Sequence, residues 1–200
     1  MKKFAVSFLL LLGAVLCSAA GVFITFSESC ENVCEKVLRL HIPANSNSAE
    51  DQEIKLKLRD YLLNEFSGEI DECGDVFEAE QKARELLPEI EQKCSEFLSD
   101  NGFSYGAKAE LVSMYFTTRE YDRLILPAGE YKALRVTLGS GSGENWWCVF
   151  FPQLCVPAVS EKSEQQSDAS EQILDSFGKP QGVTVKFAVY EFFSRLFSGE

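Results

Sequence analysis

The chain has 200 residues, 46% of them hydrophobic and 12% aromatic, which predicts one domain with a sizeable core and a tail. Its formal net charge of −12 excludes a protein that tracks phosphates with a basic stripe or docks on anionic lipid by charge. An acidic, solvated surface is what that charge supports.

Lys2 and Lys3 precede an apolar run over residues 4–16, and the small residues Ser18, Ala19 and Ala20 follow. This is the layout of a secretory signal peptide, with cleavage expected after Ala20. The apolar run resumes over residues 21–26, so 4–26 would span a bilayer if left uncut. Residues 1–26 are therefore read as a signal peptide or signal anchor. The lysines before the run and Glu28 and Glu31 after it put the body of the protein outside in either case. Leu16 argues against a lipoprotein anchor at Cys17, which needs a small residue before the cysteine. Export permits disulfides among Cys30, Cys34, Cys73, Cys94, Cys148 and Cys155. Cys148 and Cys155 are the favoured pair, because Pro152 can fold the chain back between them. Cys30 and Cys34 could sit one helical turn apart or pair with Cys73 and Cys94. The competing reading is free, buried thiols that pack as small hydrophobes.

The body is expected over residues 27–156. Residues 35–42 read as a strand, ended by Pro43-Ala44-Asn45-Ser46. Ser48-x-x-Asp51 is a capping box that opens a helix with Ile54, Leu58, Tyr61 and Leu62 on its apolar face, expected to stop near Phe66. A second helix is predicted over residues 75–99, kinked or split at Pro88 and stopped at Asn101-Gly102. Residues 105–116 alternate as a strand with a slip at Leu111-Val112 that suggests a bulge. Pro127-Ala128-Gly129 is a turn, residues 131–138 a strand, and the charge-free run 146–151 a buried strand that Pro152 ends. The last strands are expected to form an antiparallel meander. Residues 157–182, rich in Ser, Glu and Gln, read as a linker, and residues 183–200 as a C-terminal helix packed on the domain. The fold class is α+β, in the order β-α-α-β-β-β-α, with an antiparallel sheet packed by helices.

Few residues suggest chemistry. The string GSGSG leads into a strand and not a helix N-terminus, so it reads as a flexible turn and no phosphate loop. His41 is the only histidine, which leaves a His-based metal site without partners, and no cofactor is expected. A cysteine hydrolase with Cys148 as nucleophile, His41 as base and Asn45 as orienter fits by residue type alone. The cluster Asn45, Ser46, Asp51, Gln52, Lys55, Arg59 and Asp60 reads as capping and ion pairing. That explains Ser48, Asp51 and Lys55 better than Arg39, His41 and Gln52, so a polar docking surface competes. Trp146 and Trp147 point to opposite faces of their strand; one can fill the core while the other faces a partner or packs under the last helix, and a core role alone is the competing and favoured reading.

Two segments carry a family resemblance. In LRLHIPANSNSAEDQEIKLKLRD (38–60) it rests on Arg39, His41, Ala44-Asn45-Ser46, Asp51-Gln52, Lys55 and Arg59-Asp60. In LPAGEYKALRVTLGSGSGENWWCVFFPQLC (126–155) it rests on Leu126 through Gly129, Tyr131, Ala133-Leu134, Gly139, Gly141, Gly143, Asn145 through Cys148, Phe151-Pro152 and Cys155. The chain resembles stage II sporulation protein R of endospore-forming bacteria, departing from the pattern at Pro43, Asn47 and Gln153. The resemblance implies a signalling protein and not an enzyme. Such a protein is made in the forespore and exported into the space between forespore and mother cell. Its partner there is a membrane-embedded aspartic protease that processes the sigma-E precursor. It further implies that Arg39, His41, Asn45, Ser46, Asp51, Gln52, Lys55, Arg59, Asp60, Asn145, Trp146 and Trp147 include the activating face. A membrane-anchored structural envelope protein is the remaining alternative.

Overall fold

A computed structural model describes residues 2–121 and 124–152; of these, the side chains of residues 2–6, 8, 9, 15, 16, 19, 20, 22, 120, 121 and 124 lie outside the description. The expected linker 157–182, the C-terminal segment 183–200 and Cys155 also lie outside it.

Leu38–Pro43 forms β1, and every residue of it is buried. A strand buried on both faces belongs in the middle of a sheet. The sheet runs β2-β5-β1-β6, with β2 Ala107–Phe116, β5 Gly129–Leu138 and β6 Asn145–Phe151. β1 lies parallel to β5 and antiparallel to β6, while β2 and β5 are antiparallel. The sheet is therefore mixed, and the expected meander does not form, because β1 inserts between β5 and β6. Sequence-adjacent strands offered no signal for that insertion. The expected bulge at Leu111-Val112 is also absent: β2 and β5 pair without interruption from Ala107↔Leu138 to Phe116↔Gly129. The one register shift in the sheet falls at Leu38/Arg39, between β1 and β6.

Two helices cover one face. α2, Ala49–Asp71, starts at Ser48, whose side chain accepts from the Asp51 N–H at 3.2 Å. It outlasts the expected stop because Phe66 and Ile70 are buried and give the extra turn a reason to stay wound. α3, Val76–Asp100, is capped by Asp75 and ends before Gly102, which takes a positive φ of 86°. It continues through Pro88 as one helix, so of the two expectations there, a kink or a division, the division does not occur. Ala79, Ala83, Leu86, Ile90, Cys94 and Leu98 form its buried stripe. That stripe packs with Ile54, Leu58, Leu62 and Phe66 of α2 onto Leu38, Leu40, Ile42, Leu134, Val136 and Leu138 of the sheet. The free edge of β2 is closed by α3, since Ser95 Oγ and Glu91 Oε2 accept from the N–H groups of Ala107 and Ala109, both at 3.0 Å.

The opposite face has lighter cover among the described residues. α1, Lys2–Cys34, brings Val33 and Cys34 against it, and the hairpin of β3 (Arg119–Tyr121) and β4 (Leu124–Leu126) adds Leu126. The sequence did not mark this hairpin as strand. Among the described residues no helix is long and apolar enough to cross a membrane.

Candidate functional site

Two loops interlock at the end of the sheet where β1 leaves and β6 begins. Residues 44–48 join β1 to α2, and residues 139–144 join β5 to β6. Gly143 N–H donates to the Ala44 carbonyl at 2.8 Å and Ser142 N–H to that of Asn45 at 3.3 Å. The Asn45 side-chain oxygen accepts from Ser140 N–H at 3.0 Å, and Asn47 Oδ1 accepts from Glu144 N–H at 2.7 Å. This contact is what the glycines are for. A Cβ on Gly139 would stand 2.3 Å from Asn45 Oδ1, and one on Gly143 would stand 2.2 Å from the Ser46 carbonyl oxygen.

The first turns of α2 pin both loops. Asp51 is buried, and its carboxylate accepts from Asn45 Nδ2 at 3.0 Å, from Ser46 Oγ at 2.5 Å and from the Tyr105 hydroxyl. Burial alone would raise the Asp51 pKa. The bonds from Ser46, Tyr105, Asn45 and Ser48 together outweigh it and hold the carboxyl below its ordinary range. Gln52 Nε2 donates to the Ser46 carbonyl at 2.8 Å. Lys55 is buried, and its ammonium donates to Gln52 Oε1 at 2.5 Å and to the Glu144 carbonyl at 3.0 Å. Desolvation lowers its pKa. Asn45, Ser46, Asp51, Gln52 and Lys55 thus form one internal network, and most of their polar atoms face each other.

Arg59 and Asp60 belong to a different patch, one turn further along α2. The Arg59 guanidinium lies 4.3 Å from the centroid of the Trp146 ring and bonds Asp60 Oδ1 through Nε at 2.8 Å and Nη2 at 2.6 Å. Both side chains stay partly exposed, and Asn145 beside Trp146 on β6 is exposed. This is a cation, an indole and polar groups on one rim.

Arg39, His41 and Trp147 lie on the other face of the sheet. The His41 and Trp147 rings stack in parallel with centroids 4.0 Å apart, and Phe116 meets Trp147 edge-on at 4.9 Å. Arg39 Nε donates to the Cys148 carbonyl at 2.9 Å, and its guanidinium lies over the rings of Phe116 and Tyr131. Neither His41 ring nitrogen makes a hydrogen bond; Asn145 lies near enough to favour the charged ring, but not in bonding geometry. Burial is the larger effect and lowers the His41 pKa, with Arg135 of β5 acting in the same direction. A base with a lowered folded pKa stabilises the fold above its unfolded pKa and loses that contribution as pH falls toward the folded value. Unfolding free energy should therefore decline below about pH 6.5, and His41→Gln should flatten that decline. Denaturant titrations at several pH values check it.

The family model for stage II sporulation protein R matches residues 34–161, which contain both motif segments and every described strand. The chain belongs to the stage II sporulation protein R family. Stage II sporulation protein R of Bacillus subtilis (strain 168) is 33% identical to it over 213 aligned residues, covering 96% of this chain and 95% of that protein. No solved structure matches.

In this family member the motif residues thus divide three ways: the internal network, the Arg59–Trp146 rim and the His41–Trp147 face. The division bears on the hydrolase reading. His41 sits opposite Trp147, and Cys148 sits opposite Leu40, so His41 and Cys148 project from opposite faces of the sheet. Cys148 packs in the core under the helices. The dyad of Cys148 and His41 is not assembled. The pairings suggested for Cys30, Cys34, Cys73 and Cys94 are absent too, since all four are free thiols. Burial pushes Cys30 and Cys94 up to about 12 and Cys34 up to about 11, so these behave as packed apolar groups. Among the described residues no group of three or more His, Cys, Asp or Glu is placed to hold a metal ion.

Several participants had no sequence signal of their own. Tyr105 reads as a strand start, Glu144 acts through its carbonyl, and Phe116 and Tyr131 read as core. The spaced glycines were the available sign that a second backbone comes close.

Proposed function

We propose that this protein is an exported sporulation signal. It is made in the forespore, crosses the forespore membrane into the intermembrane space and activates a membrane-embedded aspartic protease of the mother cell. That protease then processes the sigma-E precursor. Membership of the stage II sporulation protein R family, over the whole segment from β1 to β6, is the observation that carries this reading. The basic-then-apolar N-terminus and the acidic body agree with export, with the segment 1–26 either removed or kept as an anchor. In the oxidising space outside the membrane, Cys148 and Cys155 form the bridge of the body.

The protease docks on the rim of Arg59, Asp60, Asn145 and Trp146. These four combine partial exposure with an aromatic and a cation, the residue types that carry binding energy at interfaces. Asn45, Ser46, Asp51, Gln52 and Lys55 hold that rim in shape and contact the partner little.

Deleting the gene in its host and following the sigma-E precursor by immunoblot during sporulation tests the reading. The precursor should accumulate uncleaved. A full-length copy should restore cleavage, and a copy lacking residues 2–20 should not. Normal processing in the deletion strain would remove the proposed role.

A further inference from the structure

The sheet has two apolar faces, and among the described residues only one of them has full-length helices on it. On the second face, Val112 and Met114 of β2 and Trp147 of β6 are partly exposed, beside the buried His41 of β1. The end of α1 and the β3–β4 hairpin add Val33, Cys34 and Leu126 to that face. A central strand buried on both sides calls for a third layer there. His41 adds a second, polar indication: the residue is 5% exposed, and both ring nitrogens are buried without a hydrogen bond.

Residues 183–197, VTVKFAVYEFFSRLF, have the pattern such a layer needs. Val185, Val189, Phe192 and Leu196 recur at intervals of four, three and four, with Phe193 beside them, while Glu191 and Ser194 fall on the other side. A helix of this length is about 22 Å long. Strand β6 is about 23 Å long. The preceding residues 157–182 could extend to about 90 Å. A four-stranded sheet is only about 15 Å wide, so reach does not limit where the segment lands.

We infer that residues 183–197 form a helix seated on the face of His41, Val112, Met114 and Trp147, closing the sheet as a three-layer sandwich. Val185, Val189, Phe192 and Leu196 point inward. The family-motif residues His41 and Trp147 then stand under this helix and are not a docking surface. The inference does not depend on the signalling role.

A photoreactive phenylalanine analogue at position 192 of the full exported chain tests it, with adducts mapped by mass spectrometry at low protein concentration. Intrachain adducts to residues 110–116 or 145–151 are expected. Adducts to α2 or α3, adducts joining two chains, or no intrachain adduct would overturn the inference. Met114 gives a second readout in the unlabelled protein. Its oxidation by dilute peroxide should be several-fold slower than that of the Val189→Asp/Phe192→Asp protein. Equal rates would count against the seat.

Discussion

Asp51→Ala should remove roughly 3 kcal/mol of unfolding free energy. One carboxylate holds three donors, from Asn45, Ser46 and Tyr105, and it does so while buried. Truncation leaves those groups without their acceptor, and an unmade buried bond costs more than a made one contributes. The loop 44–48 also loses the post against which the loop 139–144 is folded. Asp51→Asn separates charge from shape. It keeps the volume but presents an amide N–H₂ where only acceptors fit, so it should recover part of the loss and no more. The pH dependence has a fixed sign. The folded carboxyl titrates below its ordinary range, so its contribution is fully present above the unfolded pKa and fades as pH falls through the folded one. The gap between the natural protein and Asp51→Asn should hold above about pH 4 and narrow below it. Chemical denaturation across that range measures both. A constant gap would mean that shape, not charge, carries the effect.

Several local signals in the sequence match the structure, although the stop near Phe66 and the break at Pro88 do not. The capping serine, the apolar stripes of α2 and α3, the stop at Gly102 and the end of β6 before Pro152 all depend on neighbours within a turn or two. What failed was pairing at a distance. β1 parallel to β5 is a contact across almost a hundred positions, and alternation within each strand is the same whether strands meander or interleave. The slip at Leu111-Val112 looked like a bulge because both residues are apolar. In the sheet Leu111 goes to the helices and Val112 to the other face, and both faces are apolar there. The polar cluster of the first motif was legible as a cluster but not as an interior. Its acceptors and donors are supplied by Tyr105, Ser140 and the Glu144 backbone, which lie far along the chain. Family resemblance identified the residues without distinguishing a scaffold role from a contact role. Burial and bonding make that distinction.

Arg59→Ala should fold and export normally yet leave the sigma-E precursor largely uncleaved. The structural cost is modest. A partly exposed cation over an indole contributes about 1 kcal/mol, and a partly exposed ion pair with the adjacent Asp60 about 1 kcal/mol at most. The functional cost is larger if the rim is the docking surface, because an arginine at the centre of an interface is worth roughly 2 kcal/mol or more, over tenfold in affinity. Trp147 is the poorer residue to test, since it is wedged between His41 and Phe116 and its removal would disturb the sheet itself. Lys57→Ala is the matching control. It lies on the same helix, is paired only with Glu53 in a solvent-exposed i,i+4 bridge at 2.7 Å, and should leave cleavage unchanged. Arg59→Lys keeps the charge but not the flat guanidinium that lies over Trp146, so partial rescue at most is expected. Precursor cleavage by immunoblot, normalised to the amount of exported protein, orders the four proteins. Full cleavage by folded, exported Arg59→Ala would place the contact elsewhere on the molecule. Equal loss in Lys57→Ala would show that the helix tolerates no change and that the rim is not special.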